Sequence, residues 1–301
     1  MRTVVLAGGS GGAKLAAGFQ SQLEPGELTV IANTADDDEF WGLLVSPDLD
    51  ATIYRLAGVF DDATGYGQKG DTFNTLDALG RLGEPTWFRI GDRDLATHVV
   101  RADMLNSGSR LTETALELCR RFGLATRVLP MTDDKVRTRF VTEHGTVSFQ
   151  NYFVRERLRP PLSAIEIAGA DSAVPSPEVT AALVDADLVV IGPSNPLISI
   201  GPILAVIKRG LHRERTVAVT PIVAGVALKG PTVEMMRALG HEPSPVEVAR
   251  GYTSIAGTFV LDSRDAGAAA EIEALGYRVV VCDTVMAGGG GGLAKAILEA
   301  L

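Results

Sequence analysis

Gly8-Gly9-Ser10-Gly11-Gly12, continued by Ala13-Lys14-Leu15, offers what an anion needs from a protein. Glycines let backbone N–H groups approach a ligand closely, and the N-terminus of a helix favours negative charge. The apolar, β-branched run Thr3-Val4-Val5-Leu6-Ala7 stands directly before this loop. The loop is therefore expected to lead a strand into a helix and to cradle a phosphate or nucleotide. It is not one of the usual versions. A P-loop needs Ser or Thr after its Lys, where this chain has Leu15, and a dinucleotide fingerprint needs a third small residue where Lys14 stands. A tight strand-to-helix turn without a ligand is the competing reading.

A second group of residues is acidic: Asn33-Thr34-Ala35-Asp36-Asp37-Asp38-Glu39 and, shortly after, Ser46-Pro47-Asp48-Leu49-Asp50. Clustered carboxylates beside a phosphate loop suit magnesium, a hard cation that takes one or two carboxylates and fills its shell with water and phosphate oxygens. Asp36 and Asp50 are the expected functional members. Asp38 and Glu39 read as solvated, and a helix N-cap at Asp48 or Asp50 is the alternative use of that motif. Further on, Ser194, Asn195 and Ser199 lie in Gly192-Pro193-Ser194-Asn195-Pro196-Leu197-Ile198-Ser199-Ile200-Gly201-Pro202. Their hydroxyl and amide groups form a second polar rim, with Ser199 placed to start a helix. Lys229 is a candidate anion contact.

Arg89 precedes Gly91-Asp92-Arg93-Asp94-Leu95-Ala96-Thr97-His98. The guanidinium fork matches phosphate or carboxylate. Asp94 could cap a helix beginning at Leu95, which would put His98 in its first turns, either as a structural histidine or as a ligand contact. Phe149, Tyr152 and Phe153 are expected in the core.

The elements that must position these residues alternate. Strands are expected at Thr3 to Ala7, Leu28 to Ala32, Ala125 to Leu129, Leu188 to Ile191, Thr216 to Thr220, Thr258 to Leu261 and Arg278 to Cys282, with helices between most of them. This pattern predicts an α/β, Rossmann-like, doubly wound and mostly parallel sheet in which ligands gather at the carboxyl ends of the strands. A helical region over about 52–122 is expected to cap the sheet. A β-rich insert over about 136–167, with short strands at Arg139 to Thr142, Thr146 to Phe149 and Tyr152 to Val154, is expected as a hairpin subdomain. The whole of 1–301 reads as one α/β nucleotide-binding domain.

At 301 residues, with a net charge of −9 and a pI near 5.0, the chain can bury a large core. It does not suit nucleic acid or an anionic membrane surface. Cys119 and Cys282 are too few for a disulfide framework or zinc site. The first strand begins at once and no apolar stretch is long enough for a bilayer, which points to a cytoplasmic protein.

Jointly, these motifs resemble the 2-phospho-L-lactate transferase family, which builds the deazaflavin coenzyme F420. The resemblance covers essentially the whole chain and includes Leu129-Pro130-Met131-Thr132-Asp133-Asp134 and Phe149-Gln150. It implies transfer of a phosphorylated three-carbon acid from a guanosine diphosphate adduct to the ribityl hydroxyl of the deazaflavin Fo, with release of GMP and a requirement for magnesium. On that basis Gly8, Gly9, Ser10, Gly11, Gly12, Lys14, Asn33, Ser194, Asn195 and Ser199 are assigned to the nucleotide and its phosphates. Asp36 and Asp50 are the catalytic carboxylates and magnesium ligands, and Asp50, Arg89 and His98 face Fo. Phosphoryl transfer needs positioning and charge neutralisation more than a protein nucleophile, and no residue stands out as a general base. Phospholactate, phosphoenolpyruvate and phosphoglycerate differ by a double bond or a hydroxyl, which leaves the acid open. A homodimer is expected. The run Gly288 to Gly292 departs from the family pattern and reads as a flexible connection, with a second anion loop as the alternative. The alternative function is a non-catalytic regulatory protein of the same superfamily that binds a nucleotide sugar; a dehydrogenase is disfavoured by the missing third glycine.

Overall fold

The computed structural model describes residues 1–301. The first half of the chain runs β1 (Thr3–Ala7), α1 (Gly9–Gln20), β2 (Leu28–Ala32), β3 (Asp38–Phe40), β4 (Leu43–Val45), α2 (Pro47–Leu56), α3 (Asn74–Arg81), α4 (Asp92–Asn106), α5 (Leu111–Arg121) and β5 (Arg127–Pro130). The antiparallel strands β6 (Arg137–Thr142), β7 (Gly145–Ser148) and β8 (Leu162–Ala168) follow, then α6 (Pro177–Asp185), β9 (Leu188–Ile191), α7 (Ile200–Ile207) and β10 (Thr216–Val219). The rest comprises β11 (Ile222–Val223), β12 (Val226–Ala227), α8 (Thr232–Ala238), α9 (Pro245–Tyr252), β13 (Thr258–Asp262), α10 (Ala269–Ala274), β14 (Arg278–Cys282) and α11 (Gly291–Glu299).

Seven parallel strands form the central sheet in the spatial order β5-β2-β1-β9-β10-β13-β14. All seven strands expected from the apolar runs are present. Numbered by their own succession they read 3-2-1-4-5-6-7, the doubly wound order in which the chain reverses direction between β1 and β9. Successive residues of one strand feed opposite faces: Val4 and Leu6 join one buried cluster with Ile31, Leu129 and Ile191, whereas Val5 and Ala7 join the other with Val30, Val128 and Val190. Because both faces are buried, such strands read as continuous apolar runs.

The helical stretch between β4 and β5 holds α2 to α5, and β6, β7 and β8 pair in the order β7-β6-β8 as a separate sheet. One expected strand is absent. Asn151–Arg155 forms a π-helical turn, because Tyr152 stacks on Phe140 with centroids 4.5 Å apart and its hydroxyl donates to Pro160 O at 2.9 Å. The third strand of this insert is instead β8.

Gly288 to Gly292 is not simply a loose connection. A Cβ on Gly290 would lie 2.2 Å from Lys14 O, and one on Gly18 would lie 2.2 Å from the Gly290 carbonyl. Backbone packs on backbone here, so α11 starts directly against α1. No helix is long and apolar enough to cross a membrane.

Candidate active site

A cavity of about 540 Å³ opens where the β1–α1 loop, α2 and α4 meet. Gly9 and Ser10 supply one wall, Asp48, Asp50 and Tyr54 of α2 a second, and Asp94 and His98 of α4 a third. Phe60, Tyr66, Trp87, Phe88 and Arg89 bring aromatic surface and a cation from the helical region; Gln150 and Arg157 come from the β-rich insert, and Lys229 from the turn after β12. One volume is thus bounded by a glycine loop, carboxylates, cations and flat apolar rings.

The sequence-predicted residues divide between this cavity and its frame. Gly9, Ser10, Asp50, Arg89 and His98 line it. The Arg89 guanidinium lies 4.3 Å from the centroid of the Phe73 ring. Gly8, Gly11 and Gly12 instead meet the β9–α7 loop: a Cβ on Gly11 would sit 2.3 Å from Pro193 O, and Gly12 N donates to Ser194 Oγ at 2.9 Å. Asn195 Oδ1 accepts from Leu197 N at 2.9 Å, which shapes the turn before α7. Ser199 precedes α7 without a side-chain capping bond, and its Cβ is 2.6 Å from where Gly8 would carry one. Lys14 projects from α1 outside the cavity lining; its carbonyl is the group facing Gly290. The helix expected to begin at Leu95 starts earlier, at Asp92, with Gly91 before it. Asp94 therefore lies inside the first turn, where its carboxylate accepts from Tyr54 Oη at 2.7 Å.

Asp50 is held from behind. Arg101 is fully buried and grips both Asp50 oxygens, with Nη1 to Oδ2 at 3.1 Å and Nη2 on Oδ1. Arg101 Nη1 also donates to Leu44 O at 3.2 Å and meets His98 Nδ1 at 3.1 Å. A guanidinium only donates, so Nδ1 accepts and the imidazole proton belongs on Nε2. His98 Nε2 lies 3.5 Å from Asp94 Oδ1 and is buried without a hydrogen-bond partner. Burial works against the Asp94 charge, but the neighbouring imidazole and the Tyr54 hydroxyl hold its carboxyl below the ordinary value.

A second carboxylate group lies beside the glycine loop. Asp48 Oδ1 accepts from Gly9 N at 2.7 Å and Oδ2 from Asn33 Nδ2 at 3.0 Å. Asn33 also accepts from Ala35 N at 3.0 Å, which fixes the turn after β2. Asp36 is buried and takes a bond from Thr138 Oγ1 at 3.3 Å. Desolvation, then the nearby Asp48 charge, pushes the Asp36 carboxyl well above the carboxylate range, and desolvation lifts Asp48 to about 6 against the bonds from Asn33 and Gly9. Both carboxyls therefore hold their protons more tightly than a solvated carboxylate does, and a cation between them would favour their ionised forms. No three His, Cys, Asp or Glu side chains converge to form a metal cage unaided, so a cation here would complete its shell with water and phosphate oxygens.

Residues 3–296 match the family model described as 2-phospho-L-lactate transferase CofD. The chain belongs to the CofD family. Its relatives in that family include the 2-phospho-L-lactate transferase of Methanosarcina mazei, 36% identical over 285 residues and aligned over 94% of both chains. The phosphoenolpyruvate transferase of Streptomyces griseus is 40% identical over 288 residues, 92% of this chain and 91% of its own. Among solved structures, a UPF0052-family protein from Bacillus halodurans superposes with a TM-score of 0.61 over 99% of each chain at 16% identity, a likeness of fold.

For this CofD chain, sequence reasoning missed Arg101, and Asp48 stood out only through the alternative of a helix cap at Asp48 or Asp50. Arg101 sits in an unremarkable stretch of α4, yet Asp94, His98 and Arg101 follow an i, i+4, i+7 spacing that puts all three on one helical face. That spacing was the available signal. Asp48 follows Ser46-Pro47, a helix-start pattern; in the structure Ser46 Oγ donates to Asp37 at 2.7 Å and Asp48 reaches across to Gly9.

Proposed function

We propose that this cavity transfers a phosphorylated three-carbon acid, 2-phospholactate or phosphoenolpyruvate, from a guanosine diphosphate adduct to the ribityl hydroxyl of Fo. The hydroxyl oxygen forms a bond to the phosphorus carrying the acid, the bond from that phosphorus to the GMP oxygen breaks, and the hydroxyl proton passes to water or to the phosphate of the departing GMP. The observation that carries this reading is the shared cavity, which Gly9 and Ser10 line together with Asp50, Arg89 and His98. Membership of a transferase family and the names of both relatives support it.

The donor diphosphate lies against the Gly9-Ser10 backbone, with Arg157 and Lys229 as its cations. Fo occupies the end with Arg89 and the rings of Trp87 and Phe88, where Asp50 accepts a hydrogen bond from the attacking hydroxyl and orients it. Catalysis of this kind comes from alignment and from neutralising charge on the equatorial oxygens. The chemistry of the donor set fits magnesium at Asp36 and Asp48, with Asp50 at the border of the site. Bound there, the ion would neutralise diphosphate charge. Asn33 keeps Asp48 turned toward the loop, while Ser194, Asn195 and Ser199 hold the opposite loop in place. A homodimer is part of the same proposal.

Mass spectrometry of the product formed from Fo, with the lactate and enolpyruvate adducts offered in competition, tests the reading and identifies the acid. Fo recovered unchanged with every guanosine adduct, alongside tight binding of a uridine-diphosphate sugar, would replace it with the regulatory alternative.

A further inference from the structure

The group behind Asp50 spans three elements: Asp50 and Tyr54 on α2, Asp94, His98 and Arg101 on α4, and the Leu44 carbonyl on β4. Four of its five side chains line the cavity, and Arg101, 0% exposed, is the one that does not. An arginine placed beyond the reach of any ligand, yet bonded to both oxygens of a cavity carboxylate, serves the carboxylate. It also donates to His98 Nδ1, so the same guanidinium sets the rotation of Asp50 and the tautomer of His98. Its Nε has no partner, and neither has His98 Nε2.

We propose that Arg101 is a positioning residue for the transfer reaction: it holds Asp50 in one rotation toward the acceptor hydroxyl and fixes His98 with its Nε2 proton on the side of Asp94. This rests on the transferase reading above and adds to it a residue that touches no substrate. Arg101 acts through Asp50, so its removal costs turnover while donor binding at Gly9 and Ser10 stays as it was. Lysine, a single-point donor, cannot reproduce the two-pronged grip.

The test is a double-mutant cycle in the full-length chain with Arg101→Met, Asp50→Asn and the two combined, with Arg101→Lys as a fourth variant. Arg101→Met is expected to lower kcat about 100-fold, the scale of a misplaced reacting group, with KM for the donor unchanged. The combined variant should be only slightly slower than Asp50→Asn alone, because the charged two-oxygen partner through which Arg101 chiefly acts is already lost and only its contact with His98 is left to lose. Arg101→Lys, which retains the charge, should recover part of kcat. Circular dichroism and thermal midpoints confirm that the compared variants are folded; if Arg101→Met fails to fold, the Lys variant and its combination with Asp50→Asn carry the same comparison. Losses that multiply in the combined variant, or a rise in donor KM with kcat intact, overturn the proposal while leaving the transferase reading standing. A wild-type chain that makes no product with any donor removes both.

Discussion

The Gly12 N–H donates to Ser194 Oγ across 2.9 Å, with both groups buried. This bond ties the β1–α1 loop to the β9–α7 loop at the switch point of the sheet. Ser194→Ala would leave a buried donor unsatisfied, which costs about 1–3 kcal/mol. Urea denaturation is expected to show that loss. Asn195→Ala should show a similar one, since its Oδ1 organises the turn through Leu197 N, whereas Asn195→Asp keeps the acceptor and should be milder. Wild-type stability in both alanine variants would mean that the rim is free to serve a ligand alone.

The crossing of α1 and α11 gives a sharper contrast. Gly18→Ala and Gly290→Ala each drive a methyl group into backbone atoms 2.2 Å away, and backbone cannot turn aside as a side chain can. Overpacking of this kind costs typically about 1–3 kcal/mol, and more where nothing relaxes. Gly292, on the same run, has nothing within 4 Å of the position a methyl group would take. Gly292→Ala should therefore be neutral or stabilising by up to about 1 kcal/mol through helix propensity. Thermal melts of the three variants decide it; equal melting temperatures would show that the run does not pack.

Asp37 makes stability depend on pH. Desolvation raises its carboxyl from 3.8 to about 7, against the opposing pull of Arg137 and the bond from Ser46. The unfolded chain releases this proton near pH 4 and the folded chain only near pH 7, so the folded state binds more protons across that window. Stability should consequently fall as pH rises from about 4 to about 7, by on the order of 2–4 kcal/mol from this group. Asp48, lifted to about 6, adds in the same direction. Asp37→Asn keeps an oxygen for Ser46 and removes the charge, so it should flatten the slope and gain stability near pH 8. Urea midpoints with a chelator present would measure this, and identical slopes in wild type and variant would refute the assignment.

Much of the frame was legible because a buried parallel strand is a continuous apolar run, and all seven such runs became strands. The Gly8–Gly12 loop, Asp50, Arg89 and His98 stood out through residue type and through their places after strands or before helices. Arg101 did not, because its importance comes from burial against Asp50, 51 positions away in the chain, and no local pattern encodes that distance. Tyr152-Phe153-Val154 misled for a related reason. Its β-forming side chains are used to stack on Phe140 and to bind Pro160, and tertiary packing overrode the local preference.

The proposed magnesium ion would relieve some of the site's carboxylates more than others. Asp36 and Asp48 are desolvated and repel each other, whereas both Asp50 oxygens already meet Arg101. A cation bound only by the folded chain raises stability by about 2.7 kcal/mol at a hundredfold excess over its Kd. Adding magnesium near pH 7.5, about one and a half units above the Asp48 carboxyl, is expected to raise the wild-type melting temperature. Asp36→Asn and Asp48→Asn should each lose most of that rise and weaken magnesium binding by about tenfold or more, while turnover falls. Asp50→Asn should keep the rise and still lose turnover, because it removes the carboxylate charge that orients the attacking hydroxyl rather than the seat of the ion. Calorimetric magnesium titration of the three variants separates these outcomes. If Asp50→Asn abolishes the magnesium response and Asp48→Asn retains it, the ion sits on Asp50, and Arg101 then orients a metal ligand in place of a hydrogen-bond acceptor.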